Sequence, residues 1–182
     1  MRIPFIKPGD FHYEIPDAAS ALRFEGVARQ MVLDFKFNRH LWLRDDFTDW
    51  LEAAVRTNFD AAAVDAVVPM ASTTWHRFDR GFSPTEDLAR ALARRIDRVC
   101  RADALRRIGS FRRQGGLDEE ERRRNVKGTI QVRRPEFVRG RTVLVVDDVM
   151  TTGSTLAECA RTLKASGAAR ILSLTLAKTI RD

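Results

Sequence analysis

Apolar side chains follow two different spacings along this chain, and the two spacings predict its helices and strands. Recurrence every three or four residues predicts helices, whereas short continuous apolar runs predict strands that are buried on both faces. The predicted helices span 18–37 and 46–58, open at Ser83 and end at Gly167, and the predicted strands span 64–70, 104–108, 128–132, 143–146 and 171–177. Strands that alternate with helices predict an α/β fold with a mainly parallel sheet.

The chain divides into a short leading part and a longer main part. With 182 residues it is one domain, or one domain with a small appendage. Residues 1–60 hold two predicted helices and no chemical motif, which predicts a small helical hood. Residues 61–182 hold the predicted strands and most of the candidate binding residues. We therefore expect a hood at 1–60 and a main domain at 61–182, packed as one compact unit.

The most informative stretch of the chain is 142–156, where a strand, two acids, a polar turn and a helix follow one another. The apolar run 143–146 predicts a buried strand, and Asp147 and Asp148 come directly after it. The hydroxyl-rich turn that follows consists of Thr151, Thr152, Gly153, Ser154 and Thr155. Unpaired backbone N–H groups at a helix start bind anions, and a glycine lets the backbone approach them closely. The stretch therefore predicts a phosphate site.

The two acids need a partner other than phosphate, because carboxylates and phosphate repel each other. Sugar hydroxyls, a cation or a basic group would satisfy them. An acidic pair beside an anion-binding turn thus indicates a sugar phosphate. Two rival interpretations fit less well: a receiver domain has its acidic pair near the start of the domain, and a nucleotide hydrolase needs a G-x-x-x-x-G-K-[ST] loop that the chain lacks. A strand, turn and helix with an exposed acidic pair is the remaining alternative.

The string VLVVDDVMTTGST resembles the motif that binds phosphoribosyl diphosphate (PRPP) in type I phosphoribosyltransferases. The resemblance implies that fold, a mainly parallel sheet flanked by helices. It also implies that Asp147 and Asp148 are catalytic residues that hold the ribose 2′- and 3′-hydroxyls, directly or through water bound to Mg²⁺. The residues implied to bind the 5′-phosphate are Thr151, Thr152, Gly153, Ser154 and Thr155.

A second candidate anion loop follows the predicted strand 64–70. In open α/β sheets ligands bind beyond the carboxyl ends of the strands, so Met70, Ala71 and Ser72 are placed for the pyrophosphate half of PRPP. Guanidinium groups match phosphate oxygens in pairs, and ammonium and amide groups also donate to them. The further pyrophosphate candidates are Lys36, Arg77, Arg80, Arg112 and Gln114.

The net charge of +7 comes from one part of the chain. Residues 105–141 contain eleven arginines and Lys127 against five acids, whereas the rest of the chain holds equal numbers of basic and acidic residues. A local basic segment attracts polyanions, either a small molecule with a pyrophosphate group or a nucleic acid. Aromatic residues are few in the segment, Phe111 and Phe137, and single-stranded nucleic acid normally stacks on such rings.

Several further strings make the resemblance more specific. FKF at 35–37, VVPM at 67–70, RGFSPTEDLA at 80–89 and RRQGGLDEEERRRNVKG at 112–128 stand with the central motif in this chain. The combination is similar to the ComF family, bacterial phosphoribosyltransferase-like proteins associated with competence and DNA uptake. Such proteins usually carry a Cys-rich zinc-binding segment before this domain. Here there are two cysteines, Cys100 and Cys159, which make no metal site, so no zinc is expected.

The activity implied by the resemblance is Mg²⁺-dependent transfer of a phosphoribosyl group from PRPP, with release of pyrophosphate. Two alternatives stay open: a PRPP- or nucleotide-binding regulator without turnover, and a DNA-associated competence component that uses the basic segment. The acceptor of the phosphoribosyl group is not readable, because residues 1–60 show no pattern for recognition of a base.

The expected location and partners follow from composition. No apolar run approaches the ~20 residues that a membrane span requires, and the N-terminus has too few apolar residues for a signal peptide. We therefore expect a cytoplasmic protein without a membrane span and with PRPP as its small-molecule ligand. Nucleic acid, the DNA-uptake machinery and a second copy of the chain are the candidate partners.

Overall fold

A computed structural model describes Ile15 and residues 17–71, 83–108 and 125–180, and these residues form two sheets. The strands are β1 (Ala18–Arg23), β2 (Ala66–Pro69), β3 (Val99–Cys100), β4 (Leu105–Arg107), β5 (Ile130–Val132), β6 (Thr142–Met150) and β7 (Arg170–Lys178). Five of them pair in parallel in the order β1-β7-β6-β2-β3. Strands β4 and β5 pair antiparallel and are called the β4–β5 ribbon below.

Helices cover both faces of the parallel sheet. They are α1 (Gly26–Phe37), α2 (Arg44–Asn58), α3 (Pro84–Arg95), the single turn α4 (Pro135–Val138) and α5 (Ser154–Ala165). Helices α1, α2 and α3 share one apolar layer with β6 through Leu144 and Val146, and α5 shares the other with the β4–β5 ribbon through Val143 and Val145. In the described part of the chain, none of the helices has the length and apolar character to cross a membrane.

This arrangement confirms the predicted α/β class, a mainly parallel sheet flanked by helices. The helix start predicted at Ser83 and the helix end predicted at Gly167 are also confirmed. The Ser83 hydroxyl caps α3 by accepting a hydrogen bond from the backbone N–H of Glu86 at 3.3 Å. Gly167, at φ +91°, ends α5 in the left-handed conformation that glycine favours.

The helix predicted over 18–37 is wrong at its beginning. Residues 18–23 form β1, which pairs in parallel with β7 at the edge of the sheet, and the helix starts only at Gly26. The segment Ala18–Leu22 is buried and rich in small residues, so pairing with β7 decided its conformation rather than local spacing. The division of the chain at residue 60 stays a prediction.

The central strand is longer than the sequence predicted. We expected the strand to end at Val146, but β6 continues to Met150 and so includes both acids. Its later residues pair with β7, from Asp147 opposite Thr175 to Met150 opposite Lys178. The two acids are therefore parts of a rigid strand and not of the turn that follows it.

Candidate functional site

The candidate site lies where the carboxyl ends of β2 and β6 meet. These strands are neighbours in the sheet, and the backbone N–H of Met70 donates to the carbonyl of Val146 at 2.7 Å. Met70 and Ala71, the start of the predicted pyrophosphate loop, are both buried beside the end of β6. The sheet thus brings the two predicted anion loops to one edge, as the strand order requires.

The two acids point to opposite faces of the sheet, because they are consecutive residues of one strand. Each carboxylate accepts a hydrogen bond from the backbone N–H of the next residue. Asp147 Oδ1 accepts from Asp148 at 2.8 Å, and Asp148 Oδ1 accepts from Val149 at 2.7 Å. One oxygen of each carboxylate is therefore oriented by the strand itself, and each acid faces a different layer of the fold.

On the face covered by α1, Asp148 meets Lys36. The Lys36 ammonium lies 2.5 Å from Asp148 Oδ2, and neither side chain is fully exposed. The sequence placed Lys36 among the candidates for pyrophosphate, whereas the structure brings it to an acid that is predicted to hold ribose. The carboxylate of Asp148 thus has a positively charged group against it from the N-terminal part of the chain.

On the other face, Asp147 interacts electrostatically with Arg107 of β4. Burial and repulsion by Asp148 raise the pKa of Asp147 to about 7, although Lys36 and Arg107 both act in the opposite direction. Burial also lowers the pKa of Arg107. Sequence reasoning did not select Arg107. The signal that could have found it is its position in a predicted strand at the start of the basic segment.

A cavity of about 270 Å³ opens beside the carboxyl end of β2. Its lining includes Met70, Ala71, Arg106, Arg107 and Arg133. The β4–β5 ribbon supplies two of these arginines, and Arg133 follows β5 directly. Three arginines line the cavity alongside two acids, Glu86 and Asp103, so its lining has a net positive charge that suits an anion with several oxygens.

The predicted phosphate turn leads from β6 into α5. Gly153 is the N-cap residue of α5 at φ +83°, and a Cβ there would lie 2.5 Å from Ile15 Cδ1. The hydroxyls of Thr152 and Ser154 lie 3.0 Å apart. The first turn of α5 contains no acidic residue. The left-handed backbone therefore favours glycine at this position, a methyl group there would also displace the end of the Ile15 side chain, and the first turn carries no acid of its own.

The carboxylates fit the Mg²⁺ ion that the sequence predicts. Asp147 and Asp148 supply the oxygen ligands that Mg²⁺ prefers, and the Lys36 ammonium group, which lies against Asp148 Oδ2, would have to give way to the ion at that oxygen. Among the residues that the structure describes, no group of three or more His, Cys, Asp or Glu residues could hold a metal. A Mg²⁺ ion here would need oxygens from a ligand and from water, and its binding stays a prediction.

The structure brings together most of the predicted site residues that lie in its described ranges. Asp147, Asp148, Met70, Ala71 and Lys36 lie at one edge of the sheet, next to the turn 151–155. The other predicted pyrophosphate candidates fall outside the described residues; they are Ser72, Arg77, Arg80, Arg112 and Gln114.

A parallel sheet with an acidic pair and an open helix start at its carboxyl edge is the arrangement expected of a phosphoribosyltransferase-like protein. The sequence model of the phosphoribosyl transferase domain matches residues 79–182, which is more than half of the chain. The chain therefore belongs to the phosphoribosyl transferase domain family. A solved structure of adenine phosphoribosyltransferase matches with a TM-score of 0.52 at 15% identity, over 78% of this chain and 72% of that one, and so shares the fold.

Curated relatives place the chain more closely. Competence protein F of Haemophilus influenzae is 30% identical over 146 residues, which are 78% of this chain and 63% of that protein. DNA utilization protein YhgH of Escherichia coli K12 is 35% identical over 108 residues, or 58% of this chain and 47% of that protein. These relatives confirm the resemblance to the ComF family. The matches span less than two thirds of either relative's length.

Proposed function

We propose that this protein binds PRPP and transfers its phosphoribosyl group to an acceptor, with release of pyrophosphate. One observation carries the proposal: a strand with two oriented carboxylates near its end leads through a short turn into a helix start that has a glycine N-cap and no acid in its first turn. Such a combination suits one molecule that presents hydroxyl groups and a phosphate a few ångströms apart. A ribose 5-phosphate group has this chemistry.

The 5′-phosphate belongs in the turn 151–155. The backbone N–H groups at the start of α5 and the positive end of the helix dipole favour an anion there. The hydroxyls of Thr152 and Ser154, which contact each other in the turn, can donate to phosphate oxygens instead. Gly153 keeps the turn free of a side chain at its tightest point.

The ribose hydroxyls belong on Asp147 and Asp148. A carboxylate accepts hydrogen bonds and offers two oxygens, of which the strand already orients one in each acid. Lys36 has to move away from Asp148 Oδ2 before a hydroxyl group reaches that oxygen. Bound Mg²⁺ would neutralise charge on the pyrophosphate, with Asp147 and Asp148 as its protein ligands.

The pyrophosphate belongs in the cavity beside Met70 and Ala71, where Arg106, Arg107 and Arg133 supply positive charge. During transfer, the bond between the ribose C1 and the pyrophosphate oxygen breaks and its electron pair leaves with pyrophosphate. A bond from C1 to the acceptor forms on the opposite face of the ribose ring. The arginines stabilise the charge that develops on the leaving group, and positioning supplies most of the remaining catalysis.

Calorimetric titration with PRPP and Mg²⁺ tests the proposal. The unaltered protein should bind, and the double variant Asp147→Asn/Asp148→Asn should lose binding because it offers no carboxylate to the ribose. The double variant Asp45→Asn/Asp46→Asn is a matched control, since it removes the same charge from two exposed acids in the first turn of α2. Absence of binding by the unaltered protein would contradict the proposal.

A binding protein without turnover is the second candidate, and the Lys36–Asp148 pair favours it. A ribose-binding carboxylate that is already paired is less available for a catalytic cycle than an open one. The transferase and the regulator differ in whether pyrophosphate is released. Release of pyrophosphate from PRPP in the presence of a panel of nucleobases supports the transferase, whereas PRPP binding without any release supports the regulator.

The names of the relatives, competence protein F and DNA utilization protein, favour a third candidate, a role in DNA uptake. Two contacts count against direct stacking of bases on the basic segment. The guanidinium groups of Arg101 and Arg141 lie over the ring of Phe137, with the two Cζ atoms 5.1 and 4.6 Å from its centre. Fluorescence anisotropy with labelled single-stranded DNA tests this role, and an affinity unchanged by Arg112→Ala/Arg113→Ala would exclude the basic segment from it.

A further inference from the structure

A buried acid outside the candidate site links α5 to the β4–β5 ribbon. Glu158 lies in α5, one turn after the predicted phosphate turn, and is only 7% exposed. Its Oε1 accepts from the backbone N–H of Gly128 at 2.8 Å, and Arg161 donates to both carboxylate oxygens at 2.8 Å. These donors, with Arg161 as the main one, hold the pKa of Glu158 below its usual range, so the side chain is a charged acceptor.

Gly128 is part of a tight turn that leads into β5. It has φ +74°, and next to it the Thr129 hydroxyl donates to the Val126 carbonyl at 2.7 Å. The backbone N–H of Ile108, at the end of β4, donates to the Thr129 carbonyl at 2.8 Å. The hydrogen bond from Gly128 to Glu158 therefore fixes the place where the two strands of the ribbon come together.

From this turn, the ribbon leads directly to the candidate site. Arg107 of β4 is paired with Ile130 of β5, two residues after Gly128. Ile130 is buried against the face of α5 that also buries Cys159. Arg107 in turn interacts with Asp147. A continuous series of contacts thus runs from Glu158 through Gly128 and the strand pair to Arg107.

Packing alone does not account for an acid at this position. Other residues on the buried face of α5, Leu156, Cys159 and Leu163, already supply apolar contact to the same layer. A buried carboxylate is costly unless its hydrogen bonds are made, and an apolar residue of similar size would avoid that cost. What an apolar residue cannot supply is the acceptor for the Gly128 N–H.

We propose that Glu158 is a positioning residue: it holds the β4–β5 ribbon at a fixed distance from the phosphate turn. Arg107 then faces the pyrophosphate when the 5′-phosphate lies at the start of α5. Both ends of PRPP are fixed by elements that Glu158 joins, the helix that carries it and the ribbon that it anchors. The inference rests on the proposed function, because it assigns the two ends of the ligand to these two elements.

Separate titration with ribose 5-phosphate and with pyrophosphate, both in the presence of Mg²⁺, tests the inference. Ribose 5-phosphate requires only the turn and the acids, whereas pyrophosphate requires the ribbon. In Glu158→Ala, the affinity for pyrophosphate should fall about tenfold and that for ribose 5-phosphate should stay within about twofold. In Glu158→Gln both affinities should stay near those of the unaltered protein, because the amide oxygen still accepts from Gly128.

Arg161→Ala is the matched control. It removes the half of the ion pair that is mostly exposed and leaves the hydrogen bond to Gly128 in place, so neither affinity should change. Hydrogen exchange of the Gly128 amide gives a measurement that needs no ligand. It should become about tenfold faster in Glu158→Ala, relative to Leu144 in the sheet, and stay slow in the other two variants.

Two results would overturn the inference. The first is equal loss of affinity for both ligands in Glu158→Ala, which would indicate a general structural effect. The second is unchanged exchange at Gly128 in that variant. If the unaltered protein binds neither ligand, the proposed function fails, and exchange at Gly128 still decides whether Glu158 anchors the ribbon.

Discussion

Helices α3 and α5 begin at the same edge of the molecule, but their first turns are built in opposite ways. Ser83 lines the cavity that also borders Met70, and its hydroxyl caps α3. The first turn of α3 contains Pro84, which has no backbone N–H and so leaves one donor fewer in need of an acceptor. The same turn contains Glu86 and Asp87, which carry negative charge. Helix α5 begins with Gly153, which has no side chain, and has no acid in its first turn.

Under the proposed function, the difference separates a helix start that stabilises the fold from one that binds a ligand. In α3 the sequence itself supplies the acceptor and the negative charge that a helix N-terminus favours. In α5 the N-cap residue supplies no acceptor and the first turn has no acid, so among the described residues the Ser154 N–H has only the Thr152 hydroxyl, at 3.4 Å, although both helices bury an apolar face. A helix start at the carboxyl edge of a sheet that omits its own cap is suited to an external anion, and this contrast can be tested by exchanging the features of the two helices.

The largest effect is expected from giving α5 the acidic first turn of α3. Thr155→Glu should weaken PRPP binding about 100-fold, or about 3 kcal/mol, because the new carboxylate repels the 5′-phosphate. The same change should stabilise the free protein by about 0.5 kcal/mol through the helix dipole. Calorimetry and urea unfolding measure the two effects. Thr155→Gln controls for size, and equal binding by the Glu and Gln variants would contradict a phosphate at this turn.

The sequence predicted the acids and the turn because all of their determinants lie within fifteen consecutive residues. The strand, the carboxylates, Gly153 and the helix start are local features with local signatures. Local sequence could not predict which groups face the acids. Lys36 precedes Asp148 by more than a hundred residues, and Arg107 reaches Asp147 only because β4 pairs with β5 over the second face of the sheet.

The difference between local signatures and long-range contacts also explains why residues 18–23, which form β1, were predicted to be helical. A buried edge strand rich in small residues has neither alternation nor β-branched side chains, so its sequence does not differ from the start of a helix. Its partner β7 lies about 150 residues away, and the pairing of Ser20 with Thr175 is what makes it a strand. The contacts with β7 that make residues 18–23 a strand are not visible in any short stretch of sequence around them.

The second largest effect concerns the glycine that replaces a cap in α5. Gly153→Ala should destabilise the protein by about 2 kcal/mol, because the residue is left-handed and a methyl group there would overlap Ile15. Gly140→Ala is a matched control at φ +70° with open space around it, and should cost about 1 kcal/mol. Urea unfolding measures both. Equal losses in the two variants would show that Ile15 yields without cost.

A smaller effect should arise from Asp147, on the strand that leads into α5. Burial raises the pKa of Asp147 to about 7, above its value of 3.8 in an unfolded chain, so the folded state holds the proton more tightly. This stabilisation is present at low pH and is lost as the pH rises through 7. Asparagine does not titrate, so the Asp147→Asn variant does not lose this stabilisation as the pH rises. Its free energy of unfolding, relative to that of the unaltered protein, should therefore increase by about 1–2 kcal/mol from pH 5 to pH 8.

Urea unfolding of both proteins at the two pH values measures this difference. Asp45→Asn controls for the change in net charge, since it removes an exposed acid from the first turn of α2. A stability difference between Asp147→Asn and the unaltered protein that is the same at pH 5 and pH 8 would contradict the raised pKa.

The smallest effect is expected at the capped helix, and it tests the other side of the comparison. Ser83→Ala should cost about 1 kcal/mol of stability, because the backbone N–H of Glu86 loses its acceptor. Ser83→Thr should restore it, since threonine caps nearly as well. Neither variant should change PRPP affinity if the start of α3 serves only the fold. Ser83 borders the cavity assigned to pyrophosphate, however, so a loss of affinity in Ser83→Ala that Ser83→Thr restores would place α3 in the ligand site and end the distinction between the two helix starts.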